Sequence, residues 1–384
     1  MPNVVKWGSG GTPKATEKAY YENGTIPWLI IGDLNDGIVM SSASKITELG
    51  LQNSSAKMIP VGTLLVAMYG SIGKLGITGI ECCTNQAIAY AKELYGVTTK
   101  YMFYFMAMIK SELISMGKGG TQKNISQTVL NSLSVPVPPI DEQERIVARI
   151  EELFSKLDNG VETLQKTKQQ LAVYRQAVLK DVFGGAIGYE TGIIQSVCSN
   201  IVDCPHSTPE WVSDGKICLR TTNFRRGYLD LSEKNYVSEE TFDKRNARLV
   251  PQPGDVLYSR EGAILGIACI IPKNLFVCLG QRMMLLRVNE KMLGRFLMHY
   301  LNSPKVTSFV AAKTGGSASP HVNVGDIKEF VVPIPPISKQ QQMLEQIESR
   351  LSVCDSIERT VDIALQQAEA MRQSILKQAF EGRF

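Results

Sequence analysis

Two long segments of the chain repeat each other, and this duplication constrains the fold more than any other feature. Residues 135–183 and 332–380 align without a gap. They begin with Val-Pro-Val-Pro-Pro-Ile and Val-Pro-Ile-Pro-Pro-Ile, and both end in Leu-Lys-x-x-Phe. A repeat of this length predicts a chain built from two similar halves, each closed by the same kind of segment.

Each copy of the repeat is predicted to be one long helix. Neither copy contains an internal proline, and the Pro-Pro pair at the start of each cannot lie inside a helix. Asp141 with Glu144, and Ser338 with Gln341, have the spacing of capping boxes. Glycines follow both copies, as expected where helices end.

The apolar residues of both copies recur about every 3.5 residues, which is the period of a coiled coil. Two matched apolar seams favour pairing of the helices with each other, as an antiparallel coiled coil with pseudo-twofold symmetry. The alternative is that each helix packs separately on its own globular domain. The predicted seams are Ile146, Ile150, Leu153, Leu157, Val161, Leu164, Leu171, Tyr174 and Val178 in the first copy, and Met343, Ile347, Leu351, Cys354, Ile357, Val361, Ala364, Ala368, Met371 and Ile375 in the second.

The segments that precede the two helices resemble each other more weakly. Asn85-Gln86 corresponds to Gly280-Gln281, and Gly119-Gly120-Thr121 corresponds to Gly315-Gly316-Ser317. Short apolar runs bounded by Gly and Pro indicate strands, and longer apolar stretches indicate helices, so each lobe is expected to be α+β. The predicted organisation is a first lobe (1–134), a first helical segment (135–186), a second lobe (187–331) and a second helical segment (332–384).

Positive charge is concentrated in the two lobes. Residues 1–140 carry 11 Lys and no Arg against 8 acidic residues, and residues 201–320 carry 16 basic against 11 acidic residues. The helical segments are slightly negative. Two weakly basic lobes favour a polyanionic partner such as DNA, although ordinary variation in composition gives the same excess.

Candidate DNA-binding residues lie in glycine-rich loops and among the arginines of the second lobe. Such loops bring backbone amides, hydroxyls and lysines close to phosphates, and arginine can donate to guanine. Asn223 or Gln281 could similarly pair with adenine. The alternative is that these are ordinary surface loops and solvated arginines, because the same residues occur in both. The candidates are Thr12, Lys14, Lys74, Lys118, Thr121, Lys123 and Asn124 in the first lobe, and His206, Ser207, Thr208, Arg220, Arg225, Arg226, Tyr258, Arg260, Lys313, Ser317 and His321 in the second.

The sequence contains no pattern that points to catalysis or to a metal. The eight cysteines form no C-x-x-C pair, and Cys204 with His206 offers only two metal ligands. Residues Gly70–Lys74 are not a phosphate-binding P-loop, because Met68 stands where that motif needs glycine. No catalytic residue, no metal and no cofactor is therefore predicted for this chain. An enzyme such as a DNA methyltransferase or nuclease is the rival hypothesis, and a protein-binding scaffold is another.

No apolar run is long enough to span a membrane, and the first residues have no leader pattern. A soluble cytoplasmic protein without a membrane partner is expected.

The chain resembles the specificity (S) subunits of type I restriction-modification enzymes over nearly its whole length. The most specific features are the two copies of Pro-x-Pro-Pro-Ile, each followed by a Gln-rich helix that ends in Leu-Lys-x-x-Phe. Other similar segments are Ser9-Gly10-Gly11-Thr12-Pro13, Ile30-Ile31-Gly32-Asp33-Leu34, Asp203-Cys204-Pro205-His206-Ser207-Thr208-Pro209 and Leu219-Arg220-Thr221-Thr222-Asn223-Phe224. One departure is that the first lobe reaches its Gly-Gly-Thr-Pro after only nine residues, so its boundary is less well defined.

The resemblance implies two target-recognition domains, each reading one half of a split site in double-stranded DNA. It implies that the helices set the length of the unread spacer and that two methyltransferase subunits dock about them. A motor-nuclease subunit would complete the restriction enzyme. S-adenosylmethionine, ATP and Mg²⁺ would belong to these partner subunits.

Overall fold

The chain forms two compact units. The computed structural model describes residues 1, 3–119, 123–186, 188–262, 264–314 and 320–383. One unit comprises Met1–Leu164 and Ile363–Phe384, and the other comprises Gln165–Asp362. Each unit contains one lobe and a part of both long helices. Because both helices are divided between the units, the four domain boundaries expected from the sequence stay predictions.

The first lobe combines two β-sheets with short helices. Its strands are β1 (Val5–Ser9), β2 (Ile26–Leu29), β3 (Gly37–Val39), β4 (Lys45–Ile46), β5 (Leu64–Ala67), β6 (Leu75–Thr78), β7 (Cys83–Thr84) and β8 (Ile88–Leu94). Its helices are α1 (Glu48–Gln52), α2 (Thr99–Met108), α3 (Lys110–Met116) and α4 (Gln127–Ser132), and the long helix α5 (Ile140–Gly184) follows them.

The second lobe repeats this arrangement with additions. Its strands are β9 (Thr191–Ile193), β10 (Cys198–Asp203), β11 (Lys216–Leu219), β12 (Phe224–Arg225), β13 (Tyr228–Leu229), β14 (Tyr236–Val237), β15 (Val256–Ser259), β16 (Ala268–Ile270), β17 (Cys278–Leu279), β18 (Met283–Val288) and β19 (Val331–Pro333). Its helices are α6 (Ile194–Val197), α7 (Glu239–Asn246), α8 (Gly294–Leu301), α9 (Pro304–Thr314) and α10 (Val324–Lys328), and the second long helix α11 (Ile337–Phe380) follows them.

The sheets of the two lobes have the same topology. The larger sheet has the strand order β1-β8-β5-β6-β3 in the first lobe and β10-β18-β15-β16 in the second, and the four corresponding strands are all antiparallel. In the smaller sheet, β2 lies between antiparallel β4 and parallel β7, as β11 lies between β14 and β17. The duplication therefore extends into the lobes, whose sequences have diverged further. The predicted α+β class is confirmed.

The central strand β5 shows why these segments form buried sheets. All four of its residues are buried, and they face two different clusters in alternation. Leu64 and Val66 belong to the core that contains α2, whereas Leu65 and Ala67 belong to a second core on the other face. A strand that is covered on both faces is a continuous apolar run, and this is the pattern that predicted it from the sequence.

The ends of the long helices are part of the lobe cores. In the first unit, Ile150 of α5 and Leu376 of α11 are buried in the same cluster as α2. In the second unit, Phe183 of α5 and Ile347 of α11 share a cluster with α8. Within each unit, the beginning of one long helix therefore packs into the same core as the end of the other.

Ion pairs between the long helices confirm the predicted antiparallel pairing. In the second unit, Arg175 on α5 lies 2.7 Å from Asp355 on α11. In the first unit, Arg372 on α11 pairs with Asp158 on α5. These two pairs occupy equivalent positions of the repeat, so the two helices pair in the same way within each unit.

Three predicted seam positions are wrong. Tyr174, Ile357 and Met371 are 45%, 41% and 53% exposed. The arginines that follow two of them, Arg175 and Arg372, are less exposed because they pair with acids on the facing helix. Charge pairing thus replaces apolar contact at these turns.

The predicted capping boxes are also wrong. The helices begin at Ile140 and Ile337, so Asp141 and Ser338 lie inside the first turn and cannot cap it. The carbonyl oxygen of the preceding proline accepts the first backbone hydrogen bonds in both helices.

Buried glutamines join the start of each long helix to its lobe. Gln143 donates to the carbonyl oxygens of Gly96 (2.7 Å) and Pro138 (2.8 Å), and its own oxygen accepts from the Thr98 amide (2.9 Å). Gln340 makes the equivalent three contacts, each 2.8 Å long, with Lys291, Pro335 and Leu293. Both glutamines are fully buried.

Candidate nucleic-acid interface

In the second lobe, two loops that are distant in sequence meet and expose polar side chains. One follows β10 and contains His206, Ser207 and Thr208, all three of which are exposed. The other contains Gln281, between β17 and β18. The Gln281 amide donates to the His206 carbonyl oxygen, and Gln281 Oε1 lies 3.5 Å from the Thr208 hydroxyl oxygen. The predicted residues of the Pro-His-Ser-Thr turn are therefore held against a second loop.

The first lobe has the same pairing at the equivalent place. The Thr12 hydroxyl donates to Gln86 Oε1, as Thr208 approaches Gln281. The loop runs so close to β7 that a Cβ at Gly10 would lie 2.1 Å from the Thr84 carbonyl oxygen, so only glycine fits. Thr12 and Lys14 are exposed. Gln86 was absent from the predicted site, although the correspondence of Asn85-Gln86 with Gly280-Gln281 points to it.

A second cluster of predicted residues lies elsewhere in the first lobe. Lys118 and Asn124 exchange two backbone hydrogen bonds of 2.9 Å, and the Gly70 amide donates to the Lys123 carbonyl oxygen at 3.2 Å. Lys118, Lys123 and Asn124 are exposed. Thr121 lies outside the described residues.

Three further candidates make contacts with other residues of the protein. Lys74 is half-buried, and its ammonium donates to the Ile31 carbonyl oxygen at 3.3 Å. The Lys313 ammonium lies 2.6 Å from Asp326, and this hydrogen bond lowers the pKa of the Asp326 carboxyl. His321 is exposed and pairs through its backbone with Glu261. Ser317 lies outside the described residues.

Arg260 does not have the environment of a base-reading arginine. Its side chain is 7% exposed, and its guanidinium lies 2.8 Å from Asp203 and 2.6 Å from Glu261. Two carboxylates already occupy the donors that would otherwise bind guanine. The interpretation of Arg260 as a base contact is therefore corrected to that of a structural ion pair.

Two other expectations fail because the side chains are buried. Tyr258 is fully buried on β15, where loss of hydration raises the pKa of its hydroxyl. Asn223 is 5% exposed, and its amide donates to the carbonyl oxygens of Asp230 and Glu233. Neither side chain can reach DNA without unfolding of the surrounding strands.

The remaining arginines of the second lobe differ in accessibility. Arg220 is exposed, and its guanidinium lies over the Trp211 ring at 5.6 Å from the centroid. Arg226 is also exposed, with Nη1 3.5 Å from Asn302. Arg225 is half-buried and lies 2.8 Å from Asp230, so its charge is partly neutralised. Arg220 is the arginine best placed for DNA, because burial of the Arg226 guanidinium lowers its pKa.

Within the described residues, no group of three His, Cys, Asp or Glu side chains is placed to hold a metal ion. None of the helices in these residues combines the length and the apolar character that a membrane span requires.

Comparison with known proteins relates this architecture to one family. The chain matches the family described as the type I restriction modification DNA specificity domain over residues 3–172 and 214–367. The specificity subunit of the type I restriction enzyme EcoBI from Escherichia coli is 25% identical over 351 residues, which cover 83% of this chain and 73% of that relative. The EcoKI specificity subunit from Escherichia coli K12 is 21% identical over 391 residues, covering 94% and 83%.

A solved structure that addresses complex assembly and conformational transition of the type I R-M system contains a chain with the same fold. It has a TM-score of 0.71 at 17% identity, and the match covers 100% of this chain and 99% of that one. The family match spans most of the chain and most of each copy of the internal repeat. The chain therefore belongs to the type I restriction-modification DNA specificity family.

Proposed function

We propose that this chain is the non-catalytic specificity subunit of a type I restriction-modification complex, and that each lobe reads one half of a bipartite site in double-stranded DNA. One observation carries the proposal. Both lobes have the same sheet topology and the same Thr–Gln pair, but the residues before the threonine differ. Gly10 and Gly11 precede it in the first lobe, and His206 and Ser207 precede it in the second. One frame with different side chains suits the reading of two different sequences.

The charges near these loops support contact with a duplex. The first lobe exposes Lys14, Lys118 and Lys123, and the second exposes Arg220. Lysines suit contact with phosphates, whereas arginines can also read guanine. The non-specific part of the affinity is therefore expected to fall steeply with salt in both lobes.

The long helices support a role as a spacer. Helix α5 has 45 residues, which correspond to about 65 Å at the rise of an α-helix. Within each unit, an ion pair at an equivalent position of the repeat joins it to α11. We propose that this pair sets the number of unread base pairs between the two half-sites.

The same helices offer a surface for partner subunits. Val173 is 70% exposed and Val353 is 57% exposed in one unit, and Ile363 is 56% exposed and Met371 is 53% exposed in the other. Apolar side chains that lie together on a surface mark interaction sites, whereas single exposed ones are common on any protein. We propose that two methyltransferase subunits dock on this helical region and that a motor-nuclease subunit joins them. S-adenosylmethionine, ATP and Mg²⁺ would then be bound by these partner subunits. The assembled complex would be cytoplasmic.

Lobe exchange tests the proposed function. Residues 187–331 are replaced by the corresponding segment of a relative, and methylated motifs are mapped by sequencing in cells that contain the partner methyltransferase. One half of the motif should change and the other should stay the same. Exchange of residues 1–134 should give the reciprocal result. An unchanged motif, or the absence of sequence-selective DNA binding, would favour the scaffold hypothesis.

A further inference from the structure

A buried arginine whose role the sequence does not reveal holds together the two loops of the second-lobe interface. Arg245 lies in the last turn of α7 and is 8% exposed. Its guanidinium donates to the carbonyl oxygens of Leu279 (2.6 Å) and Gly280 (2.7 Å). It also donates to those of Ser207 (3.2 Å) and Pro205 (3.3 Å).

These four acceptors belong to the two segments that carry the interface side chains. Pro205 and Ser207 flank His206, and Gly280 immediately precedes Gln281. The segments are distant in sequence, and a residue from a third segment joins them. Arginine suits this task because its planar fork presents five N–H donors in fixed directions, whereas lysine offers three donors on one atom.

The chemistry of this contact makes the loop geometry stiff. Among the described residues, the Arg245 guanidinium bonds to these four carbonyl oxygens and to no carboxylate. A buried charge without a counterion depends on its hydrogen bonds for stability. Any displacement of either loop would leave an N–H of the guanidinium unpaired in the interior.

The first lobe achieves the same result with a neutral donor. The indole N–H of Trp28 on β2 donates to the Gly11 carbonyl oxygen at 3.0 Å. Gly11 precedes Thr12-Pro13 as Ser207 precedes Thr208-Pro209. In each lobe, a side chain therefore fixes the carbonyl group next to the exposed threonine, but the donors differ in charge and in the number of segments they join.

We propose that Arg245 is a positioning residue that determines the specificity of the second lobe, because it fixes the Pro205–Thr208 loop against Gln281. This inference rests on the proposed function, since it requires the second lobe to read a half-site. In addition to that function, it requires that selectivity for the half-site depends on a side chain that does not touch DNA.

The test compares methylated motifs for the full chain together with its methyltransferase partner. The variants are Arg245→Met, Arg245→Lys and the control Arg248→Met. Arg248 is exposed three residues further along, so its replacement removes the same charge without touching the loops. Arg245→Met should lower discrimination in the second half-site about tenfold, which corresponds to the loss of roughly one base-pair contact. The first half-site should stay unchanged.

Arg245→Lys keeps the charge but loses the fork, so it should relax the second half-site as well. Arg248→Met should give the wild-type motif. The corresponding experiment in the first lobe is Trp28→Phe, which removes the indole donor. It should lower sequence discrimination in the first half-site only. Wild-type selectivity for Arg245→Lys would overturn the geometric argument, as would equal losses for Arg245→Met and Arg248→Met.

Hydrogen exchange in the assembled complex separates positioning from general stability. Arg245→Met should speed exchange in residues 204–209 and 279–282 and leave the strands β15 and β18 protected. Faster exchange throughout these strands would mean that Arg245 supports the whole lobe, and it would overturn the proposal. A wild-type motif with only one defined half would refute the proposed function itself. Two defined halves that both survive Arg245→Met would refute only the inference about Arg245.

Discussion

Arg260 and Arg220 carry the same side chain in environments that give it opposite roles. Arg260 is nearly buried between Asp203 and Glu261, so its charge is already matched inside the protein. Arg220 is exposed above the Trp211 ring, which supports the guanidinium through a cation–π contact and leaves its donors accessible. The first arginine therefore belongs to the stability of the second lobe, and the second is available to DNA.

Substitution of these two arginines should separate stability from binding. Arg260→Ala leaves two partly buried carboxylates without their cation, so we expect the free energy of unfolding to fall by about 3 kcal/mol. Arg220→Ala should leave unfolding unchanged and weaken binding to the mapped DNA motif by about 1–3 kcal/mol if it reads a base. Urea unfolding and equilibrium DNA binding measure the two effects. A stable Arg260→Ala protein with altered selectivity would restore the base-reading interpretation.

The buried imidazole of His299 predicts a pH dependence of stability. Loss of hydration, together with the nearby charge of Arg295, lowers its pKa to about 4. Because a histidine in the unfolded chain titrates near 6.5, protons favour the unfolded state between these values. The second unit should therefore lose about 3 kcal/mol as the pH falls from about 6.5 to about 4.

His299→Gln cannot titrate, so it provides the comparison for this pH effect. The difference in unfolding free energy between the wild type and the variant should be constant above about pH 6.5. It should then shrink as the pH falls, as measured by urea unfolding at several pH values. Parallel profiles across the whole range would show that His299 does not titrate as its burial implies.

At the scale of elements, the attachment of each long helix to its lobe depends on one buried amide. Gln340 satisfies two carbonyl oxygens and one backbone amide at the start of α11, as Gln143 does for α5. All three contacts are made at a fully buried position. A side chain that binds three backbone groups fixes the direction in which the helix leaves the lobe.

Loss of this amide should be costly. Gln340→Leu has a similar size but leaves buried backbone groups unpaired, so we expect destabilisation of about 2–4 kcal/mol. The neighbouring Gln341 is exposed, and Gln341→Ala should change stability by less than about 0.5 kcal/mol. Urea unfolding of both variants is the measurement. Equal effects would mean that the amide contacts contribute little.

The long helices also show what the sequence can and cannot predict. The repeat and its apolar period predict two paired helices, because both signals come from residues close together in the chain. The roles of Gln143 and Gln340 depend on backbone groups about fifty residues away, for which the sequence provides no marker. For the same reason, Arg260 and Asn223 look like DNA-reading residues in the sequence, whereas the fold places them beside carboxylates or carbonyl oxygens.

For the whole molecule, the duplication links fold and function. The sheets, the Thr–Gln pairs, the buried glutamines and the ion pairs of the long helices all occur twice. The exposed loops and the donors that hold them, namely Trp28 and Arg245, differ between the lobes. A duplicated frame thus keeps the architecture constant while each lobe can change its DNA preference separately.

The spacer role predicts the result of shortening both helices together. Residues 162–168 and their repeat equivalents 359–365 lie between the ion pairs Arg175–Asp355 and Arg372–Asp158. Removal of seven residues from each helix keeps both pairs and the apolar period, while it shortens the helices by about 10 Å. Both half-sites should be retained, and the unread spacer should become shorter by at most about three base pairs.

Deletion of only residues 162–168 is the matched control. It shifts one helix against the other, so the two ion pairs cannot form at the same time, and we expect lower stability and loss of methylation. Methylome mapping with the partner methyltransferase measures both variants. A changed half-site in the double deletion would show that the helices take part in sequence reading. If the spacer keeps its length although the helices are shorter, the helices do not set the distance between the bases that are read. The lobes would then set it.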